Sequence, residues 1–126
     1  MRSAHAMPFG AQVGADGVRF AVWAPAAHAA AVHVDDRIVT MHPAVDGFFS
    51  VTDPSARAGS RYRFRFDTSD LLVPDPASRF NPDDVHAASE VVAPGDYTWH
   101  DASWRGGAWP GAVIYELHVG TFTAAG

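Results

Sequence analysis

The run Arg61-Tyr62-Arg63-Phe64-Arg65-Phe66 alternates arginine with an aromatic ring, without a break. Successive side chains of a strand point to opposite faces, so this period of two puts every ring on one side and every guanidinium on the other. A helix would scatter the rings around its axis, so the run restricts the chain to a sheet with one apolar face. Val18-Arg19-Phe20-Ala21-Val22-Trp23 has the same pattern, with Val18, Phe20 and Val22 on the buried side. Gly14 to Gly17 supplies the turn before it, and Ala24-Pro25 ends it, because proline cannot donate to a ladder. Ala29 to Val34 and Arg37 to Met41 read as a hairpin around Asp35-Asp36. Asp46-Gly47 turns the chain into Phe48 to Thr52. Five to seven short strands with turn signals between them predict an all-β fold, an immunoglobulin-like β-sandwich.

Beyond residue 70 the character changes. Pro74, Pro76, Pro82 and Pro94 interrupt any regular ladder. Near the end, Val113-Ile114-Tyr115-Glu116-Leu117-His118-Val119 is almost continuously apolar, as strands buried on both faces are. A parallel strand needs crossover partners, which the few residues after it cannot supply. The expected division is therefore a flexible tail over 1–8, a sandwich over 9–70, an irregular linker packed on it over 71–110, and the first strand of a missing (β/α)8 barrel over 111–126.

The charge of −5 argues against a nucleic-acid surface. All nine basic residues are arginine, and cysteine is absent, which removes disulfides and thiolate chemistry. No apolar run approaches the ~18 residues of a membrane span. Met1 to Met7 lacks the apolar stretch of a secretory signal, so the cytoplasm is the expected location. No catalytic constellation, cofactor motif or metal set is read. His28 and His33 fall on opposite faces of a strand, and the pairs Asp35-Asp36 and Asp83-Asp84 sit in turns. The Arg61, Arg63 and Arg65 stripe is expected to be a solvated outer face. An anion-binding reading lacks a glycine-rich loop or helix start beside it. Trp23, Trp99, Trp104 and Trp109 are the remaining chemistry. Trp99, Trp104 and Trp109 are candidate carbohydrate contacts, against the alternative that they pack on a neighbouring domain.

Four segments carry a resemblance: Phe20 to Pro25, Tyr62 to Phe64, Val73 to Phe80 with Val85-His86, and Val113 to Phe122. The first two resemble the N-terminal sandwich of the alpha-amylase superfamily. Val73-Pro74-Asp75-Pro76-Ala77-Ser78-Arg79-Phe80 is similar to the maltooligosyltrehalose trehalohydrolases in particular. The resemblance implies a parent that cleaves the α-1,4 bond next to the terminal trehalose of a maltooligosyltrehalose. It would do so by a retaining mechanism with two carboxyl groups. Those groups lie on later barrel strands in the family, so none is assigned here and the chain alone is expected to be inactive. The implied partners are maltooligosyltrehalose or another α-glucan, acting through the full enzyme, and the barrel itself. The branching or debranching enzymes and a free-standing glucan-binding module are the alternatives.

Overall fold

A computed structural model describes residues 9–125; the tail expected over residues 1–8 lies outside the described residues. The described residues form β1 (Gly10–Gly14), β2 (Gly17–Trp23), β3 (Ala30–Val34), β4 (Arg37–Thr40), β5 (His42–Pro43), β6 (Phe48–Asp53), β7 (Arg61–Phe66), β8 (Ser69–Val73), β9 (Ser89–Glu90), two short 3-10 turns and one α-helical turn, α1 (Val119–Phe122). One sheet has the order β1-β2-β6-β5; the other has the order β4-β3-β7-β8, with β9 also on β7. Every pairing is antiparallel. The two sheets make the immunoglobulin-like sandwich that the alternation predicts.

The alternating strands supply the core. Val18, Phe20 and Val22 of β2 meet Val32 and Val34 of β3 and Tyr62 and Phe64 of β7. The Phe20 and Tyr62 rings lie 4.9 Å apart at a tilt of 56°, and so join the two sheets. An ion pair also crosses between the sheets: Arg37 of β4 donates to the buried Asp53 of β6 at 2.6 Å. The tight turn into β2 requires glycine, because Gly17 has φ +115 and a Cβ there would stand 2.2 Å from the Asp53 carbonyl oxygen.

β1 has no sequence signature, since GAQVG offers only Ala11 and Val13 to an apolar face. β8 begins at the end of the expected sandwich and runs into the stretch read as an irregular linker, and β9 falls inside that stretch. They share one edge of β7: Val73 pairs with Phe64, while Ser89 and Glu90 pair with Tyr62 and Arg61. The loop 74–88 leaves that edge and returns to it. Val91, almost fully buried, continues the pairing by exchanging backbone bonds with Ser60 and Gly59.

The end of the chain differs from the sequence reading. Val113 to His118 forms no strand, and Val119–Phe122 closes into the single turn α1. High β-propensity does not make a strand without a ladder partner, and none adjoins this segment among the described residues. Every residue from 94 to 125 is exposed.

Two outcomes follow for stability. Phe64→Ala should cost about 3–5 kcal/mol because Phe64 is fully enclosed, whereas Arg63→Ala on the outer face should stay within about 0.5 kcal/mol. Denaturant melts compare them, and equal losses would reverse the assignment of faces. Deleting the residues after Ala108 should leave the thermal transition in place and reduce light scattering, since the removed apolar segment is exposed.

Candidate functional site

The loop between β8 and β9 is organised around one buried carboxylate. Asp75 stands between Pro74 and Pro76, whose fixed φ values limit how this part of the loop can bend. One Asp75 carboxylate oxygen accepts the Tyr62 hydroxyl at 2.7 Å. The other accepts the Ala77 amide at 2.7 Å. The Asp75 amide donates to the Ser89 hydroxyl at 3.0 Å, and Ser89 is fully buried in β9. Arg79 then reaches the edge strand of the opposite sheet, donating to the carbonyls of Phe9 and Ala11. Gly10 permits that approach: it has φ +77, and a Cβ would meet the Ala77 carbonyl at 2.9 Å. The loop therefore works as a strap, fixed to β7 and β9 at one point and to β1 at another.

The electrostatics of the strap are opposed. Burial pushes the Asp75 carboxyl up, while the Tyr62 hydroxyl, the Ala77 amide and the Arg79 charge draw it down; burial prevails. Burial and the Asp75 charge both raise the Tyr62 hydroxyl far above its usual range, so it stays a donor.

The candidate carbohydrate contacts lie elsewhere. Trp99, Trp104 and Trp109 are 70%, 73% and 76% exposed, so they are not sandwich core. Trp99 meets Tyr97 edge-on, with centroids 4.9 Å apart. Among the described residues no two of the three tryptophans stack on each other, so they do not form a shared flat platform. Trp23 stands apart on β2, where its indole N–H donates to the Asp46 carbonyl at 2.9 Å. The acidic pairs serve turns and ion pairs: Asp35 accepts the Arg61 amide, Asp83 pairs with the Arg61 guanidinium, and Asp84 accepts the His86 amide. Among the described residues no group of three or more His, Asp or Glu side chains is arranged to hold a metal.

Sequence reasoning singled out the tryptophans and missed the strap residues Asp75, Arg79 and Ser89. The signal was an aspartate between two prolines in the segment that carries the family resemblance. It was read as an interruption of the sheet rather than as an anchor.

Comparison with known proteins follows this geometry. Residues 8–83 match the model of carbohydrate-binding module 48, the isoamylase N-terminal domain. The malto-oligosyltrehalose trehalohydrolase of Saccharolobus solfataricus is 40% identical over 121 residues, covering 95% of this chain and 21% of that protein. A 1,4-alpha-glucan branching enzyme of Xanthomonas euvesicatoria is 37% identical over 123 residues, covering 87% of this chain and 17% of that protein. A solved structure from Salmonella typhimurium, put forward as an alpha amylase, superposes with a TM-score of 0.81 at 37% identity, covering 95% of this chain and 20% of that one. The chain thus spans about a fifth of the length of the relatives it matches.

Asp75 sets a pH dependence with a defined sign. A folded value above the ordinary 3.8 means that the folded protein holds a proton the unfolded chain releases. Its contribution is full below pH 3.8 and is lost as pH rises through the folded value. The stability advantage of the native chain over Asp75→Asn, whose amide does not titrate, should therefore shrink as pH is raised from about 3 to 7. Denaturant titrations of both proteins across that range measure it. An advantage that grows with pH would show that Tyr62, Ala77 and Arg79 outweigh burial.

Proposed function

The chain belongs to the carbohydrate-binding module 48 family, and on that premise we propose that it is the N-terminal sandwich of a glycoside hydrolase releasing trehalose from maltooligosyltrehalose. One observation carries the reading. Identity to the trehalohydrolase continues past the family match at residue 83 and takes in the exposed tail, since 95% of the chain is aligned. A sandwich used only as a generic module has no reason to share that tail; the branching enzyme shares it too, and the higher identity and coverage, 40% and 95% against 37% and 87%, favour the trehalohydrolase.

The physical division of labour follows. Retaining hydrolysis needs two carboxyl groups about 5–5.5 Å apart on rigid elements. In this proposal those groups belong to the catalytic barrel, and the sandwich supplies a rigid base on which the barrel is built. The apolar tail is the start of that barrel: Val113, Ile114, Tyr115, Leu117 and Val119 are exposed here and become buried when neighbouring strands pair with them. Trp99, Trp104 and Trp109 then pack against the barrel or meet the glucan at its rim. The parent acts in trehalose formation, in the cytoplasm.

A glucan-binding role for the chain by itself is the second reading, favoured by the exposure of all three tail tryptophans. Two assays separate the readings. The isolated chain should release neither trehalose nor reducing sugar from maltooligosyltrehalose, and calorimetric titration with maltoheptaose should show weak or no binding. Micromolar affinity lost in Trp99→Ala or Trp104→Ala would establish the binding module instead. The polypeptide encoded by the whole reading frame should release trehalose; formation of new α-1,6 branches would assign it to the branching enzymes.

A further inference from the structure

The outer face of the second sheet holds two arginines whose side chains form no ion pair or hydrogen bond among the described residues. Register places Arg63 directly opposite His33, and Arg65 directly opposite Ala31; Ile38 and Thr40 complete the two rows on β4. Arg37 and Arg61 have carboxylate partners, and Arg79 and Arg105 have backbone carbonyls. Arg63 and Arg65 have neither among the described residues. His33 lies in the same rows, and its Nε2 is shielded from solvent without a hydrogen-bond partner. Burial, and then the Arg65 charge, hold the His33 imidazole below its usual range, so the ring is neutral. Arg65 acts on it from the diagonal cross-strand position, about 7–8 Å away along the backbone and within reach of a long side chain.

Beside these rows runs an open groove. Ala29, Ala31, Thr40, Arg65, Asp67 and Asp70 are among the residues that line it. Ala31, the outward-facing alanine of β3, leaves space above the sheet that a larger side chain would fill. Asp67 accepts the His28 amide, which leaves Asp70 as the groove's exposed acidic group without a hydrogen bond among the described residues.

We propose that Arg63, Arg65 and His33 form a binding site for a phosphate monoester of a sugar. The phosphate lies between the two guanidiniums over His33, and the sugar lies in the groove beside Ala31. Guanidinium groups bind phosphate through paired charge-assisted hydrogen bonds, and two from adjacent rows match a group with three terminal oxygens. His33 Nε2 is shielded, so the phosphate acts on the imidazole through its charge and not through a hydrogen bond: a nearby dianion favours protonation of the ring. Thr40 and Asp70 offer the sugar hydroxyls a donor and an acceptor. The site is independent of glucan hydrolysis and of the tail tryptophans.

Histidine side-chain NMR of the full chain tests it. Inorganic phosphate, glucose 6-phosphate, a phosphate-bearing glucan and unphosphorylated maltoheptaose are each titrated at constant ionic strength. Expected is a saturable shift of the His33 resonances with phosphate and both esters, none with maltoheptaose, and a rise in the His33 pKa on saturation. Tighter binding of the polymer identifies an ester carried on polysaccharide, and tighter binding of glucose 6-phosphate a free sugar phosphate; either result supports the site. Arg63→Ala/Arg65→Ala should weaken binding by about tenfold or more, while Arg57→Ala, in an exposed loop, should not change it. Circular dichroism confirms that both variants fold. Shifts of equal size at all histidines, or binding unchanged in the double variant, would overturn the proposal.

Discussion

The hydrogen bond from Tyr62 to Asp75 is the contact on which the rest of the sandwich depends. Tyr62 is a core residue, packed on Phe20 of the other sheet at 4.9 Å. Its hydroxyl would be a buried polar group without a partner if Asp75 were not 2.7 Å away. Meeting that need draws the strap against β7, and the strap in turn covers the core beside Val91 and reaches the edge of β1 through Arg79. One polar requirement inside an apolar core therefore settles the path of a proline-rich loop that has little secondary structure of its own.

The same constraint explains what could be read in advance. β2, β3 and β7 announce themselves because each buries one face, and a period of two is the direct trace of that in sequence. β7 occupies Arg61–Phe66, the limits of its alternating run. β1, β5, β8 and β9 are short or lie at sheet edges, where hydrogen bonding and not side-chain burial fixes the strand, so residue type carries little information. The strap was illegible for a related reason. Its order comes from partners at Tyr62, Ser89 and the β1 carbonyls, all distant in the chain, whereas prolines and aspartates read locally as breaks.

The tail shows the opposite failure. Val113 to Val119 has the composition of a buried strand, yet the described chain offers it no ladder, and it adopts a single helical turn at its end. Composition indicates what a segment can do once partners exist; it does not supply them. The arginine stripe shows how one face can be read correctly and still hold more. Arg61 is taken up by Asp83 and Glu90, while Arg63 and Arg65 stay unpaired around a shielded imidazole. The alternation places all three on the outer face but does not distinguish them, because the difference lies in cross-strand neighbours.

The central claim is that the strap is an integral part of the sandwich and not a linker laid over it. Native-state hydrogen exchange measures this directly at the amides of Asp75, Glu90 and Val91, which donate to Ser89, Phe80 and Ser60. If the claim holds, these amides open with the same free energy as those of β7 and respond equally to denaturant, as members of one cooperative unit. Exchange of the strap amides at low denaturant while β7 stays protected would contradict it and return residues 74–91 to the status of a linker.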